Sequence, residues 1–419
     1  MKSIAAIPLF GTFVVLGWLG VASQMSAAAD KTTRTPIQHP AFDPTRKDAD
    51  VLFHEGRVQR DPGGAIGWSM LSGAYLARSR ESDSYPDAVK AEQAARKSLA
   101  LRTMGNLGGQ TRLINALLQQ HRFADALATD EKALKIWGEE PQLNQLHADI
   151  LIEVGRYEDA REVLATVPQA FRDPTGQSVL ARLSAIEGRP GEALCMLKGA
   201  YAVVDANANA TDENLAWFQQ KIGEALASMG RTQEAQKAFE KTLALYPRSY
   251  KAYANLAKLA ATRKDWPAVV ANGEKSNAIA PMADILALVG DAYAHQGKTQ
   301  MAEAMYNKVV ALAGKPATAA NGLHEFTGTS GGHGHTLDRQ YAIFCADHGR
   351  DLDTAYACAI RDLQARRDVY AFDALAWVCF RKGDLGEARK AMDKALSQGT
   401  KDPLLQAHAD MIYGAKMAR

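Results

Sequence analysis

Residues 216–247 read AWFQQKIGEALASMGRTQEAQKAFEKTLALYP, and residues 250–281 read YKAYANLAKLAATRKDWPAVVANGEKSNAIAP. In the first stretch Ile222-Gly223, Leu226, Gly230, Ala235, Phe239 and Leu243 lead to Pro247. In the second, Tyr253, Leu256-Ala257 and Ala260 lead to Pro281, and a third stretch continues with Val289-Gly290, Tyr293, Gly297, Ala302, Tyr306 and Val309. A fixed period of this length marks stacked supersecondary units. In the first and third stretches, apolar residues at helical spacing lie on both sides of a glycine, Gly230 or Gly297, which describes two helices joined by a turn. Gly223, Ala235, Ala257, Gly290 and Ala302 are small where paired helices approach. Phe239 and Tyr306 are large enough to fill the gap between hairpins, and Pro247 and Pro281 stop the second helix.

The turn signal recurs along the chain at Gly155-Arg156, Gly188-Arg189, Gly230-Arg231, Gly297-Lys298 and Gly383-Asp384. Each is followed in register by a small residue: Ala160, Ala193, Ala235, Ala302 and Ala388. This pattern resembles the tetratricopeptide repeat, a helix–turn–helix unit. The resemblance implies an all-α, right-handed superhelical solenoid of about nine hairpins with capping helices. Working outward, the first hairpin begins at Trp68, Leu71 and Tyr75, with its second helix delayed by an insert at Arg80–Pro86. The others begin near Leu113, Ala148, Ala181, Ala216, Tyr250, Ala283, Thr336 and Val369. The fourth and eighth lack the bulky second-helix aromatic. Asp48–Gln59 reads as a capping helix at one end and Pro403–Lys416 as one at the other.

The chain has 419 residues, and 49 Lys+Arg stand against 47 Asp+Glu. That balance argues against a general nucleic-acid binder, and no nucleic-acid partner is expected. Residues 1–29 read as a signal peptide. Lys2 precedes an apolar run from Ile4 to about Val21, and Ala27-Ala28-Ala29 offers a cleavage site before Asp30. Membrane association is expected only if this leader stays uncleaved. The expected location is therefore periplasmic or secreted, in a bacterium. The organisation is a leader (1–29), a linker and capping helix (30–64), repeats one to seven (65–313), a Gly/His-rich loop (314–336), and repeats eight and nine with a C-terminal cap (337–419).

Candidate chemistry is sparse. The loop contains Gly328-Thr329-Ser330-Gly331-Gly332, which fits a nucleophile-elbow pattern but lacks the strand and helix that chemistry needs. It also holds His324, Glu325, His333 and His335, imidazoles able to chelate Zn²⁺, Cu²⁺ or Ni²⁺. A metal-binding protein or metallochaperone is thus the alternative reading. Asp347, Asp351 and Asp353 lack the glycine and bidentate glutamate of a calcium loop. Cys345 and Cys358 could bridge the two arms of one hairpin, or be small buried residues at helix contacts. No phosphate-binding or dinucleotide fingerprint occurs, so neither an enzyme nor a resident cofactor is expected.

The family resemblance implies that the first helices line a concave groove that binds peptide segments or partner helices. By repeat phase the inward polar positions are Asn115, Gln145, Asp149, Glu153, Arg182, Lys251, Asn255, Lys258, Asp284 and Asp291. The Lys/Asn cluster resembles a carboxylate clamp in part, but Asp284 and Leu288 stand where the next repeat would supply its basic partner. The expected role is a non-enzymatic exported scaffold that takes an exported protein or peptide segment along this face.

Overall fold

Several helix starts along the chain are marked by side chains that accept otherwise free backbone N–H groups. Asn106 accepts from Gly109 at 2.9 Å, Asp265 from Ala268 at 3.2 Å, and Thr211 forms a reciprocal capping box with Asn214. The computed structural model describes His39 and residues 41–138, 140–313 and 337–415. Among these residues it contains helices and no strand. They belong to one compact unit, His39–Arg419. Helix α1 (Arg46–Arg60) is followed by nine antiparallel pairs. The first four are α2 (Ala65–Ser82) with α3 (Tyr85–Leu101), α4 (Leu107–Gln119) with α5 (Phe123–Trp137), α6 (Pro141–Glu153) with α7 (Tyr157–Ala165), and α8 (Pro174–Ile186) with α9 (Pro190–Asp205). Three more are α10 (Asp212–Ser228) with α11 (Thr232–Leu245), α12 (Tyr250–Thr262) with α13 (Trp266–Ile279), and α14 (Ala283–His295) with α15 (Thr299–Ala313). The last are α16 (Asp338–His348) with α17 (Leu352–Ala365) and α18 (Val369–Lys382) with α19 (Leu385–Ala395), before α20 (Pro403–Gly414). Each second helix packs on the first helix of the next pair, as a solenoid requires.

The small-residue positions do what their size suggests. A Cβ on Gly223 would stand 2.4 Å from the Phe239 ring, and one on Gly290 would stand 2.5 Å from the Tyr306 ring. Each aromatic therefore lies flush on the glycine of its own hairpin. Tyr306 also reaches the next hairpin, with its ring 4.7 Å from that of His348. In the eighth pair, where no such aromatic occurs, Cys345 and Cys358 are buried free thiols in the shared core. They form no bridge, and burial pushes them up to about 11 and about 12.

The insert in the first repeat is helix rather than loop. Helix α2 continues to Ser82 and stops at Asp83 in the left-handed region, φ 53°. The added turn carries Glu81 beyond its own hairpin. Its carboxylate meets Lys47 of α1 at 3.1 Å and Arg248, just before α12, at 3.0 Å. Lys47 also contacts Glu213 at 2.9 Å and donates to the Tyr246 hydroxyl at 3.0 Å. The first pair is thereby tied to the fifth and sixth.

A second long-range contact joins the third and fourth pairs to the ninth. The Arg367 N–H donates to the Val154 carbonyl at 3.2 Å, and the Val369 N–H to the Tyr157 hydroxyl at 2.9 Å. Here glycine is needed twice over. Gly155 and Gly188 have φ of 81° and 75°, and a Cβ on either would lie 2.3 Å from the Arg367 carbonyl or 2.1 Å from that of Gly399. One hydrophobic core consequently joins Leu151, Ile152 and Ile186 to Met392, Leu405 and Ile412. The C-terminal helix is therefore built into the body, with Leu405 and Ile412 fully buried.

Candidate partner-binding groove

The first helices of the second to fifth pairs line a cavity of about 1360 Å³. Helical spacing puts Gln145, Asp149 and Glu153 of α6 on one face, opposite Ser178 and Arg182 of α8. Asn115 of α4 adds a third side, and its amide donates to the Thr111 carbonyl at 2.8 Å. Five of the residues expected in the groove, Asn115, Gln145, Asp149, Glu153 and Arg182, are thus brought together. The Arg182 guanidinium meets Asp149 at 2.8 Å and Glu153 at 2.7 Å. Burial opposes its charge, and the two carboxylates overcome this and raise its pKa. Gln145 differs from these: it is 5% exposed and has no hydrogen-bond partner among the described residues.

The other five expected residues lie outside the lining of this cavity. Lys258 is an exposed residue of α12 and binds Asp284 of α14 at 2.8 Å; the Asp284 charge raises its pKa. Asn255 lies half-buried between Lys258 and Lys251 on the same helix. For Lys251, burial lowers the pKa, and Lys221 adds to this against Glu224 and Asp83. Asp291 accepts from the Tyr306 hydroxyl at 2.7 Å and from His348 Nε2 at 2.9 Å. Burial works against its charge, but these two bonds outweigh it and its pKa falls below the ordinary carboxylate value. The charged residues expected along the inner face are therefore largely engaged in ion pairs within the chain.

Several lining residues were not anticipated. Trp217, 44% exposed, lies on α10 with Lys221 above its ring at 5.8 Å, and Lys221 pairs with Glu224 at 2.9 Å. Their i, i+4 and i+7 spacing on a first helix was a usable signal. Tyr370 of α18 and Asp402 before α20 complete the wall. Only the contact between the third, fourth and ninth pairs places them there, so no local pattern announces them.

His324, Glu325, His333 and His335, together with the leader, lie outside the described residues. Among the described residues no group of three or more His, Cys, Asp or Glu could hold a metal ion. None of their helices is long and apolar enough to cross a membrane.

Three tetratricopeptide-repeat family models match the sequence, over residues 117–183, 221–271 and 283–316. Over these segments the chain carries tetratricopeptide repeats. No curated protein matches the sequence. Among solved structures, it is similar to the APC/C hetero-tetramer Cut9–Hcn1, with 14% identity and TM-score 0.49, over 87% of this chain and 66% of that one, just under two thirds of its length. It is also similar to PilW, a widely conserved type IV pilus biogenesis factor, with 18% identity and TM-score 0.41, over 48% of this chain and 91% of that one. A third similar structure is a tetratricopeptide repeat protein from Parabacteroides merdae, with 16% identity and TM-score 0.39, over 57% and 91%.

Proposed function

We propose that this protein is a non-enzymatic scaffold, exported from a bacterial cell, that holds a segment of an exported partner protein in its inner groove. The observation that carries this reading is the pairing of Trp217 and Gln145 in one cavity. A tryptophan left 44% exposed inside a concave wall keeps apolar area available for a partner. The Gln145 carboxamide lines the cavity without a hydrogen-bond partner among the described residues, so it has both a donor and an acceptor to offer, which matches a peptide group. Asn115 and the Arg182 ion-pair cluster would form the polar rim of the bound segment. Export rests on the leader pattern at residues 1–29.

The test is capture from periplasmic extract by the purified chain, compared with Trp217→Ala and Gln145→Ala. A specific protein retained by wild type and lost from both variants supports the groove. Equal capture by all three would move the interaction to another face. Fractionation of the native protein checks export separately, with the soluble periplasm or medium as the expected compartment.

A further inference from the structure

We infer that the segment the groove accepts is an extended one bearing Lys or Arg side chains; this rests on the groove reading above and specifies its partner chemistry. The lining holds five carboxylates, Asp149, Glu153, Asp173, Glu224 and Asp402, against the two cations Arg182 and Lys221. Both cations are already bound to carboxylates, at 2.7–2.9 Å. An incoming anion would find no unpaired cation in the lining. An incoming cation finds two carboxylates that no side-chain cation neutralises. Asp173 Oδ2 accepts from the Gly176 N–H at 2.9 Å, and Asp402 Oδ1 accepts from the Leu404 and Leu405 N–H groups at 3.0 and 3.1 Å. Each leaves its second oxygen without a hydrogen bond among the described residues. Lys258 feels the Asp402 charge from outside the lining, but its ammonium is held by Asp284.

The excess negative charge sits in a walled cavity, where field lines concentrate and attraction exceeds that of a flat surface. Independently of charge, the unpartnered Gln145 carboxamide faces the same space and suits the backbone of an extended strand. Trp217 offers a ring face to the aliphatic stem or the cation of a bound Lys or Arg. Lys251, with Lys221 and Arg80 near it, lies toward the α10–α12 end. The basic side chains of the segment therefore belong beside Asp173 and Asp402, the two lining carboxylates without a side-chain cation among the described residues.

The experiment uses the full chain and three labelled short peptides of one Ala/Leu frame, whose alternate positions are all Lys, all Gln or all Glu. Binding is read by fluorescence anisotropy at low and physiological salt. The Lys peptide should bind roughly tenfold or more tighter than the Gln peptide, with an advantage that shrinks in salt, and the Glu peptide weakest. Asp173→Asn with Asp402→Asn should erase that advantage, because Asn keeps both helix caps and removes only charge. Trp217→Ala should weaken all three peptides. Gln or Glu peptides binding as tightly as Lys would overturn the charge inference, and so would a Lys advantage that survives the double substitution. If Trp217→Ala still weakens binding in those cases, the groove reading stands alone. Binding of none of the three would overturn both.

Discussion

Glu81 stands between Lys47 and Arg248, at 3.1 and 3.0 Å, with only 6% of its side chain exposed. It reaches that position because α2 runs one turn longer than its repeat requires. Glu81→Gln removes the charge while keeping the volume, and leaves a nearly buried Lys47 with Glu213 as its remaining carboxylate. The expected cost is about 1–3 kcal/mol, since a buried pair loses one partner while the other retains a second ligand. Urea denaturation checks it. Glu234→Gln, which breaks an exposed pair with Arg231, is the comparison and should leave the midpoint in place.

Gly188 and Gly230 occupy the same turn in different repeats, at φ 75° and 72°. Alanine at either residue pays the left-handed conformational penalty of about 1–2 kcal/mol. At Gly230 the Cβ enters open space, whereas at Gly188 it would meet the Gly399 carbonyl at 2.1 Å. Gly188→Ala should therefore cost clearly more than Gly230→Ala, and it alone should increase protease cleavage near Gly399. Equal destabilisation would contradict the close approach.

His348 has both ring nitrogens against oxygen acceptors, the Phe344 carbonyl at 2.8 Å and Asp291 at 2.9 Å. Only the doubly protonated ring can donate to both. Burial lowers its pKa, but these bonds and the Asp291 charge overcome that, and the net shift is upward. A raised folded-state pKa stabilises fully below the unfolded value of about 6.5, and that contribution disappears as pH rises through the folded pKa. Wild type should lose stability relative to His348→Asn as pH climbs past about 6.5. Parallel urea midpoints across that range would refute the assignment.

Gly223 and Phe239 form a space-sharing pair, with the ring 2.4 Å from where a Cβ would sit. Gly223→Ala should overpack the hairpin by about 1–3 kcal/mol. Phe239→Leu in the same chain should recover part of that loss, because the smaller side chain yields the contested space. Thermal melts of the two single variants and the double variant check the coupling. Strict additivity would mean that the two residues do not share the space.

The hairpins were legible because their information is local. A turn glycine, a small residue in register and apolar residues at helical spacing are all contained within one repeat. The same spacing located Gln145, Asp149, Glu153 and Arg182, which the fold gathers in one cavity. Trp217 and Lys221 obey that spacing too, and were readable from it. Tyr370 and Asp402 were not, since their place in the groove depends on contacts with residues about two hundred positions earlier. The Arg80–Pro86 interruption was visible as an irregularity, but its purpose lay in Arg248, which no repeat arithmetic connects to it.

A solenoid held only by neighbours can gain or lose units with little consequence, because each repeat interacts mainly with the next. The hydrogen bond from Val369 to Tyr157 spans 212 positions, and that from His39 to Ala210 spans 171. Such links make distant repeats melt together and slow folding through their loop-closure entropy. They also fix the number of repeats between their ends. One extra hairpin inserted anywhere from α9 to α17 would carry Val369 past its partner and uncover the core that the third and ninth pairs share. Growth of this protein by duplication of internal repeats is thus closed off by its own geometry, while its surface loops remain free to lengthen.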